Sequence, residues 1–272
     1  MIAGWNGLAL AALAEAARAL PSERYRAAAE ETGRFITEGM LQTEDRLAHV
    51  WIDGQAQGNG FSEDYAGVID GLLALYQSTF TEEWFETARR LTDHLMSAFP
   101  RPGGGFYDTS SDHESLITRP RSLQDSPTPC GNSITATVLL KMAAFTGEGR
   151  YWTLAEQTLA PIGPLLERAP LAFGQWLSAY QVLGSGITEV AVVGRPDDPQ
   201  TKALLDVYDS GFRPATVLAA RPPATGSVIS VLAGREPPTG VEAAAWVCEH
   251  STCGAPVTDP EGFRAVLDEQ KS

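Results

Sequence analysis

One plan repeats three times along this sequence. A polar or aromatic turn precedes an Ala- and Leu-rich helical pattern, and a second helical pattern then opens on an aromatic residue with an alanine four positions later. Both series advance by about 60 and then about 67 residues, so they share one phase. The spacing predicts a repeat of helical hairpins that form a toroid, with the irregular residues at one rim. The first helices open at Trp5–Leu8, Glu63–Gly67 and Gly131–Ser133, and the second-helix pairs are Tyr25/Ala29, Trp84/Ala88 and Tyr151/Ala155.

The periodicity of the apolar residues supports this prediction. The clearest case spans residues 65–76, where the apolar positions fall at i, i+3, i+4, i+7, i+8 and i+11 and mark one broad stripe of a helix. The first helices carry few charges and the second helices carry many. We therefore expect the first set to line the inside of a partial (α/α)6 toroid and the second set its outside. The stripe consists of Tyr65, Val68, Ile69, Leu72, Leu73 and Tyr76.

After about residue 184 the sequence changes from helical hairpins to alternating strand and helix patterns. A buried strand pattern is followed by a helix with Asp198 as N-cap and Pro199 in its first turn, and then by a second strand pattern. The chain is thus predicted to be mainly α, with a helical toroid portion at 1–185 and a small α/β segment at 186–272. The predicted strands are Glu189–Gly194, Thr216–Ala220, Val228–Leu232 and Ala243–Val247, and the predicted helices are Pro199–Tyr208 and Pro260–Glu269.

Composition excludes several classes of function. The net charge of -14 disfavours nucleic-acid binding, which needs a basic face. No apolar run approaches the ~20 residues of a membrane span, and Leu8–Leu20 is an Ala-rich helix interrupted by Glu15 and Arg18 rather than a signal peptide. Three cysteines are too few for a disulfide framework. We expect a cytoplasmic protein with no membrane and no nucleic-acid partner.

A series of short motifs resembles one known family, the thioredoxin-domain-containing YyaL-like proteins, also called the spermatogenesis-associated protein 20 family. The resemblance is to their C-terminal part, which is similar to six-hairpin glycosidases and N-acylglucosamine 2-epimerases and follows a thioredoxin-like domain. The present chain starts at the Trp-Asn-Gly helix, so an upstream thioredoxin-like and toroid portion is an expected partner. The motifs are Gly4–Ala9, Glu63–Ala66 with Ile69–Leu72, Gly104–Thr109, Gly131–Ser133, Ala245–Glu249 and Pro256–Pro260.

Three carboxylates are the catalytic candidates. Glu63 and Asp64 open the most strongly patterned helix, and a pair of carboxylates at a cavity rim suits glycoside hydrolysis or proton abstraction from a sugar. The alternative is structural, because acidic residues at a helix start cap free N–H groups and stabilise the macrodipole. Neighbouring side chains point about 100° apart, so only one of the two can face the cavity, and we expect it to be Asp64. Asp70, within the same helix, faces either the cavity or solvent.

The substrate-binding candidates combine aromatic rings with polar groups. Trp5 and Asn6 suit a sugar site, with Tyr65 adding to the stacking surface, but a core Trp and an N-cap Asn are equally consistent with the pattern. Asn132 has the same two interpretations. The connecting segments 48–54 and 103–113 are predicted to fold as β-hairpins over the rim. The second segment would supply the lid residues Tyr107, Asp108, Asp112 and His113.

Histidines and cysteines limit the alternatives. The resemblance implies an epimerase-type pair of histidines, but no histidine spacing here matches such a pair, and His94 is predicted to lie on the surface. Cys248 and Cys253 flank His250 and could hold zinc or form a disulfide, but without a second ligand pair we expect two metal-free thiols. We therefore expect no metal and no cofactor.

Two functions follow from these observations. In the first, a toroid with glycosidase-like or sugar epimerase/isomerase-like chemistry acts on a small-molecule carbohydrate through carboxylate acid and base groups. In the second, the toroid is a non-catalytic scaffold for an upstream thioredoxin-like domain. A rim where carboxylates lie near Trp5 favours the first, and a cavity filled by apolar side chains favours the second.

Overall fold

A computed structural model describes residues 1–20, 22–114, 117–249 and 252–269. They form two compact units, one of residues 1–140 and 149–183, named here the helical unit, and one of residues 141–148 and 184–272, named the α/β unit. In the described part of the chain, no helix is both long and apolar enough to cross a bilayer.

The helical unit contains the predicted hairpins α1–α2 and α3–α4, together with α6 and the part of α5 up to residue 140. The first helices neighbour one another, since α1 packs along α3, and each of these two helices also packs against its hairpin partner. A π-helical turn, Phe35–Met40, extends α2. The helices are α1 (Ala3–Ala19), α2 (Glu23–Arg34), α3 (Ser62–Thr79), α4 (Glu82–Ala98), α5 (Gly131–Thr146), α6 (Gly149–Leu159), α7 (Gly163–Arg168) and α8 (Gly174–Ser185).

Helix α3 lies at the centre of this unit. Every residue of α3 is buried except Glu63, Asp70 and Thr79. At Gly7 the backbones of α1 and α3 are in direct contact, because a Cβ added to Gly7 would lie 2.3 Å from the carbonyl carbon of Gly67. The predicted inside position of the first helices is consistent with this burial, and the sequence Trp5-Asn6-Gly7 places its glycine at the helix crossing.

Tyr65 connects α3 to its surroundings. Its hydroxyl accepts a hydrogen bond from the Leu47 N–H at 2.8 Å, and its ring stacks on His94 with centroids 5.2 Å apart. Burial raises the pKa of Tyr65 to about 12. Because Tyr65 is only 2% exposed, its predicted role in a stacking surface for a sugar is wrong. His94 is half-buried beneath it, so the predicted surface position of His94 is also wrong.

The packing of His94 predicts a pH dependence of stability. Burial lowers the pKa of His94 below its usual value of 6.5, because the charged imidazolium loses solvation. The unfolded chain then binds more protons than the folded chain, so the free energy of unfolding should decrease as pH falls below about 6.5. Urea unfolding of wild type and His94→Gln at pH 8 and pH 5.5 measures this. The decrease in the free energy of unfolding from pH 8 to pH 5.5 should be smaller in His94→Gln than in wild type. An equal decrease would contradict the prediction.

The two segments that were predicted to form β-hairpins over the rim, residues 48–54 and 103–113, fold differently. Residues 48–54 belong to a β-hairpin, as predicted, formed by β1 (Ala48–Ile52) and β2 (Gln55–Asn59). Residues 103–113 contain no strand, so the second predicted hairpin is wrong. The physical reason lies in Gly103–Gly105, whose φ angles of 85°, 97° and 76° are outside the extended region that a strand requires.

The α/β unit contains the sheet order β4-β3-β5-β6, with β3 and β4 parallel and the other pairs antiparallel. The predicted N-cap is confirmed, because the Asp198 carboxylate accepts the Gln200 N–H at 2.8 Å. The predicted strand Val228–Leu232 is wrong: the Ile229 N–H donates to the Ser227 hydroxyl instead of a sheet, and a 3-10 turn follows. The elements are β3 (Thr188–Gly194), α9 (Pro199–Asp209), β4 (Thr216–Arg221), β5 (Ala243–Glu249), β6 (Thr252–Cys253) and α10 (Pro260–Glu269).

The cysteine prediction is wrong. Cys248 on β5 and Cys253 on β6 form a disulfide, whereas the sequence favoured two thiols. The cause is the hairpin register, which pairs these two residues directly across antiparallel strands with their Cα atoms 4.0 Å apart. His250, the third residue of the predicted cluster, lies outside the described residues.

Candidate active site

The N-terminal end of α3 contains a buried carboxylate network. Asp64 is 0% exposed. Its Oδ1 accepts the Gly4 N–H at 2.8 Å, and its Oδ2 accepts the Phe61 N–H at 2.9 Å and lies 2.7 Å from Nδ1 of His49. Asp64 therefore caps its own helix, ties it to α1 and holds the imidazole of His49. The prediction that Asp64 is the carboxylate that faces the cavity is wrong.

Glu63 is the exposed member of the pair. Partial burial of its carboxylate raises the pKa of Glu63, the negative charges of Asp64 and Asp108 raise it further, and His49 opposes the increase. A carboxyl group with a raised pKa keeps its proton closer to neutral pH, which is the property of a general acid. Of the two adjacent carboxylates, Glu63 is thus exposed and Asp64 is buried.

His49 is the residue that the sequence did not identify. Its side chain is 30% exposed on β1, and its ring packs edge-on against Phe61 with centroids 4.9 Å apart. The ring of His113 lies on Phe61 as well, at 5.4 Å. The available signal was the predicted position of segment 48–54 over the rim. No regular spacing relates His49 to Asp64, because a hairpin and a turn separate them.

Trp5 is exposed beside this network. Its side chain is 65% exposed in the first turn of α1, directly after Gly4, where an added Cβ would lie 3.3 Å from the carbonyl oxygen of Glu63. Of the two interpretations of Trp5, the core position is therefore wrong. Asn6 is not an N-cap either, because α1 begins at Ala3, and its amide donates to the Ile2 carbonyl at 2.7 Å.

The predicted lid residues mainly hold their own segment. The Asp108 carboxylate accepts the backbone N–H and the hydroxyl of Ser122 at 2.9 and 2.8 Å. The Arg119 guanidinium lies over the ring of Tyr107, with Cζ of Arg119 4.3 Å from the ring centroid. His113 and Asp112 both hydrogen-bond with the Ser110 hydroxyl, and Asp112 also forms an ion pair with Arg46. Among these four residues, Asp108 is the one whose negative charge raises the pKa of Glu63.

Two further candidates have structural positions. Asn132 is 0% exposed, and its amide accepts the Phe106 N–H at 2.8 Å and donates to the Phe106 carbonyl at 3.0 Å, so it is not available to a ligand. Asp70 is half-buried, two turns along α3 from Glu63. A cavity of about 480 Å³ beside Gly103–Gly105 is lined by neither Glu63 nor His49. Within the described ranges, no group of three or more His, Cys, Asp or Glu is placed to hold a metal ion.

Comparisons with known proteins agree with this architecture. No family model matches the chain. The sequence is 31% identical to spermatogenesis-associated protein 20 of Mus musculus over 284 residues, and 28% identical to the Homo sapiens protein, in each case over 98% of this chain and 36% of the relative. The chain thus spans about a third of the length of these relatives.

The fold is similar to that of cellobiose 2-epimerase from Spirochaeta thermophila, with a TM-score of 0.50, 19% identity, and coverage of 60% of this chain and 43% of that one. At this identity the likeness concerns the fold alone, and it confirms the predicted partial (α/α) toroid. The sequence match confirms the predicted resemblance to about a third of spermatogenesis-associated protein 20, and the fold of the matched part is similar to an (α/α) toroid.

Proposed function

We propose that the helical unit is an enzyme portion that acts on a carbohydrate-like small molecule, with Glu63 as general acid. The observation that carries this proposal is the position of Glu63, an exposed carboxyl group with a raised pKa beside the buried pair of Asp64 and His49. Glu63 would donate its proton to a hydroxyl, carbonyl or glycosidic oxygen of the substrate.

His49 supplies the complementary base. Because Asp64 Oδ2 lies 2.7 Å from Nδ1, the neutral tautomer carries its proton on Nδ1 and has Nε2 as its basic nitrogen. Asp64 fixes the tautomer and the orientation of the ring, as a buried carboxylate does in other acid–base sites. In this assignment Asp64 is a positioning residue, and Glu63 and His49 exchange protons with the substrate.

Trp5 supplies a binding surface. An exposed indole next to polar groups suits the apolar face of a sugar ring, because stacking needs a flat face and sugar hydroxyls need nearby hydrogen-bond partners. The fold-level likeness to a cellobiose 2-epimerase makes a sugar the first substrate class to test. The alternative, a scaffold for another portion of a longer protein, is supported by the length of the relatives, of which this chain spans 36%.

Turnover of a panel of mono- and disaccharides that includes cellobiose tests the proposal. We expect Glu63→Gln to lower turnover by about 10²-fold or more, because the amide keeps the shape and has no proton to donate. The alkaline limb of the pH–rate profile, which reports the protonated acid, should disappear in the variant. Glu86→Gln, at an exposed position on α4, is the charge-matched control.

The same assay separates the two functions. A sugar that is turned over by wild type and by Glu86→Gln, with loss in Glu63→Gln, supports the enzyme. If no panel member is turned over or bound by the chain, the scaffold assignment replaces the enzyme assignment. Equal turnover in wild type and Glu63→Gln would reject Glu63 as the acid.

A further inference from the structure

The disulfide of the α/β unit is in contact with a cation. Nη2 of Arg235 lies within hydrogen-bond distance of both sulfur atoms, 3.3 Å from Sγ of Cys248 and closer to Sγ of Cys253. Arg235 lies outside strands β5 and β6, in the segment that precedes β5.

The positive charge of Arg235 is poorly compensated. Its Nη1 donates to the Ala233 carbonyl at 3.2 Å, whereas its Nε is buried with no hydrogen-bond partner among the described residues. No ion pair joins Arg235 to an acidic residue in the described ranges, and the charge of Glu189, which faces Cys248 across β3 and β5, favours the charged guanidinium. Burial accordingly lowers the pKa of Arg235. A buried guanidinium of this kind stabilises any negative charge that forms beside it.

The two sulfurs differ in access. Cys248 is 1% exposed on β5, whereas Cys253 on the short edge strand β6 is half-buried. An incoming thiolate can therefore reach Sγ of Cys253 more readily than Sγ of Cys248. The leaving sulfur would then be that of Cys248, which is buried and remains within 3.3 Å of Nη2 of Arg235, although that nitrogen contacts Sγ of Cys253 as well. A disulfide exchanges readily when the sulfur that is attacked is accessible and the thiolate that leaves is stabilised by a nearby charge.

We propose that Cys248 and Cys253 form a redox-active thiol–disulfide site, that a small thiol of the glutathione class reduces it, and that Arg235 stabilises the thiolate of Cys248. In the first step a glutathione thiolate bonds to Sγ of Cys253, the Cys248–Cys253 bond breaks, and its electron pair passes to Sγ of Cys248. In the second step another glutathione thiolate attacks the glutathione sulfur of the mixed disulfide and releases Cys253. Two glutathione thiols are oxidised to one disulfide, and the protein gains two electrons together with the protons that its thiolates take up.

The test measures the thiol–disulfide equilibrium of the folded full chain in buffers of stated reduced-to-oxidised glutathione ratio. Free thiols are trapped with an alkylating reagent after denaturation and counted by mass, and the free Cys130 supplies one constant count. We expect wild type to take up three labels in excess reduced glutathione and one label in oxidised glutathione. A disulfide that stays closed in excess glutathione, or a pair that never closes, would overturn the proposal.

Three variants identify the role of Arg235. In Arg235→Gln the ratio of reduced to oxidised glutathione at half-reduction should rise by about tenfold or more. The reason is that a positive charge this close to a thiol lowers its pKa by roughly one to three, and this stabilisation of the thiolate is lost in the variant. Arg235→Lys should recover part of the shift, and Arg264→Gln, a control on α10, should show none. Circular dichroism confirms that each variant is folded. A folded Arg235→Gln with the wild-type equilibrium would remove Arg235 from the site.

Discussion

Replacing Gly7 with alanine is expected to destabilise the helical unit by about 3 kcal/mol or more, at the upper end of overpacking costs. The added Cβ would lie 2.3 Å from the carbonyl carbon of Gly67 and 2.4 Å from the N atom of Val68. Both contacts are with the backbone of α3, which is buried along its length, so no side chain can rotate away to relieve them. Helices α1 and α3 would have to separate, and the apolar contacts beside the crossing would be lost.

A second glycine provides the control. Gly184 lies in α8, and an added Cβ there meets no atom within 4 Å. Gly184→Ala should therefore leave stability unchanged or raise it by up to about 1 kcal/mol, since alanine favours the helix and restricts the unfolded chain. Urea unfolding of both variants decides the matter. Similar midpoints for Gly7→Ala and wild type would show that α1 and α3 do not cross as closely as described.

The hairpin repeat could be predicted because it depends on local signals. Apolar residues at helical spacing identify α3 and α4, and the aromatic and alanine ladder sets the phase of the repeats. The capped helix after Asp198 is a local signal of the same kind. The prediction for Cys248 was wrong although its partner lies only 5 residues away, because the disulfide depends on the pairing of β5 with a strand of two residues, which is too short to leave a periodic signal.

The candidate site shows the same limit. That one of two adjacent carboxylates is directed inward follows from helix geometry, and the sequence supports that much. Which one is directed inward depends on the partners of Asp64: the Gly4 N–H lies 60 residues away and His49 lies 15 residues away. Neither spacing is helical or strand-like, so no periodic pattern could reveal it. The β1 hairpin was predicted, but its register, which positions His49, was not.

The buried network predicts a second large effect on stability. Asp64→Ala would leave the Gly4 N–H, the Phe61 N–H and Nδ1 of His49 without their acceptor. An unsatisfied buried donor costs about 1–3 kcal/mol, so we expect a loss of roughly 3–5 kcal/mol in the free energy of unfolding after partial relaxation. Asp64→Asn should lose less, because its carbonyl oxygen can still accept one or two of these bonds.

The adjacent carboxylate gives the contrast that makes this prediction informative. Glu63 is exposed, so Glu63→Gln should change the free energy of unfolding by less than about 0.5 kcal/mol. Urea unfolding of Glu63→Gln, Asp64→Asn and Asp64→Ala should therefore rank the three in that order of increasing loss. Equal stability of Glu63→Gln and Asp64→Ala would contradict the network. With the predicted ranking, a loss of turnover in the stable Glu63→Gln variant is a chemical effect, because the fold around Asp64 and His49 is intact.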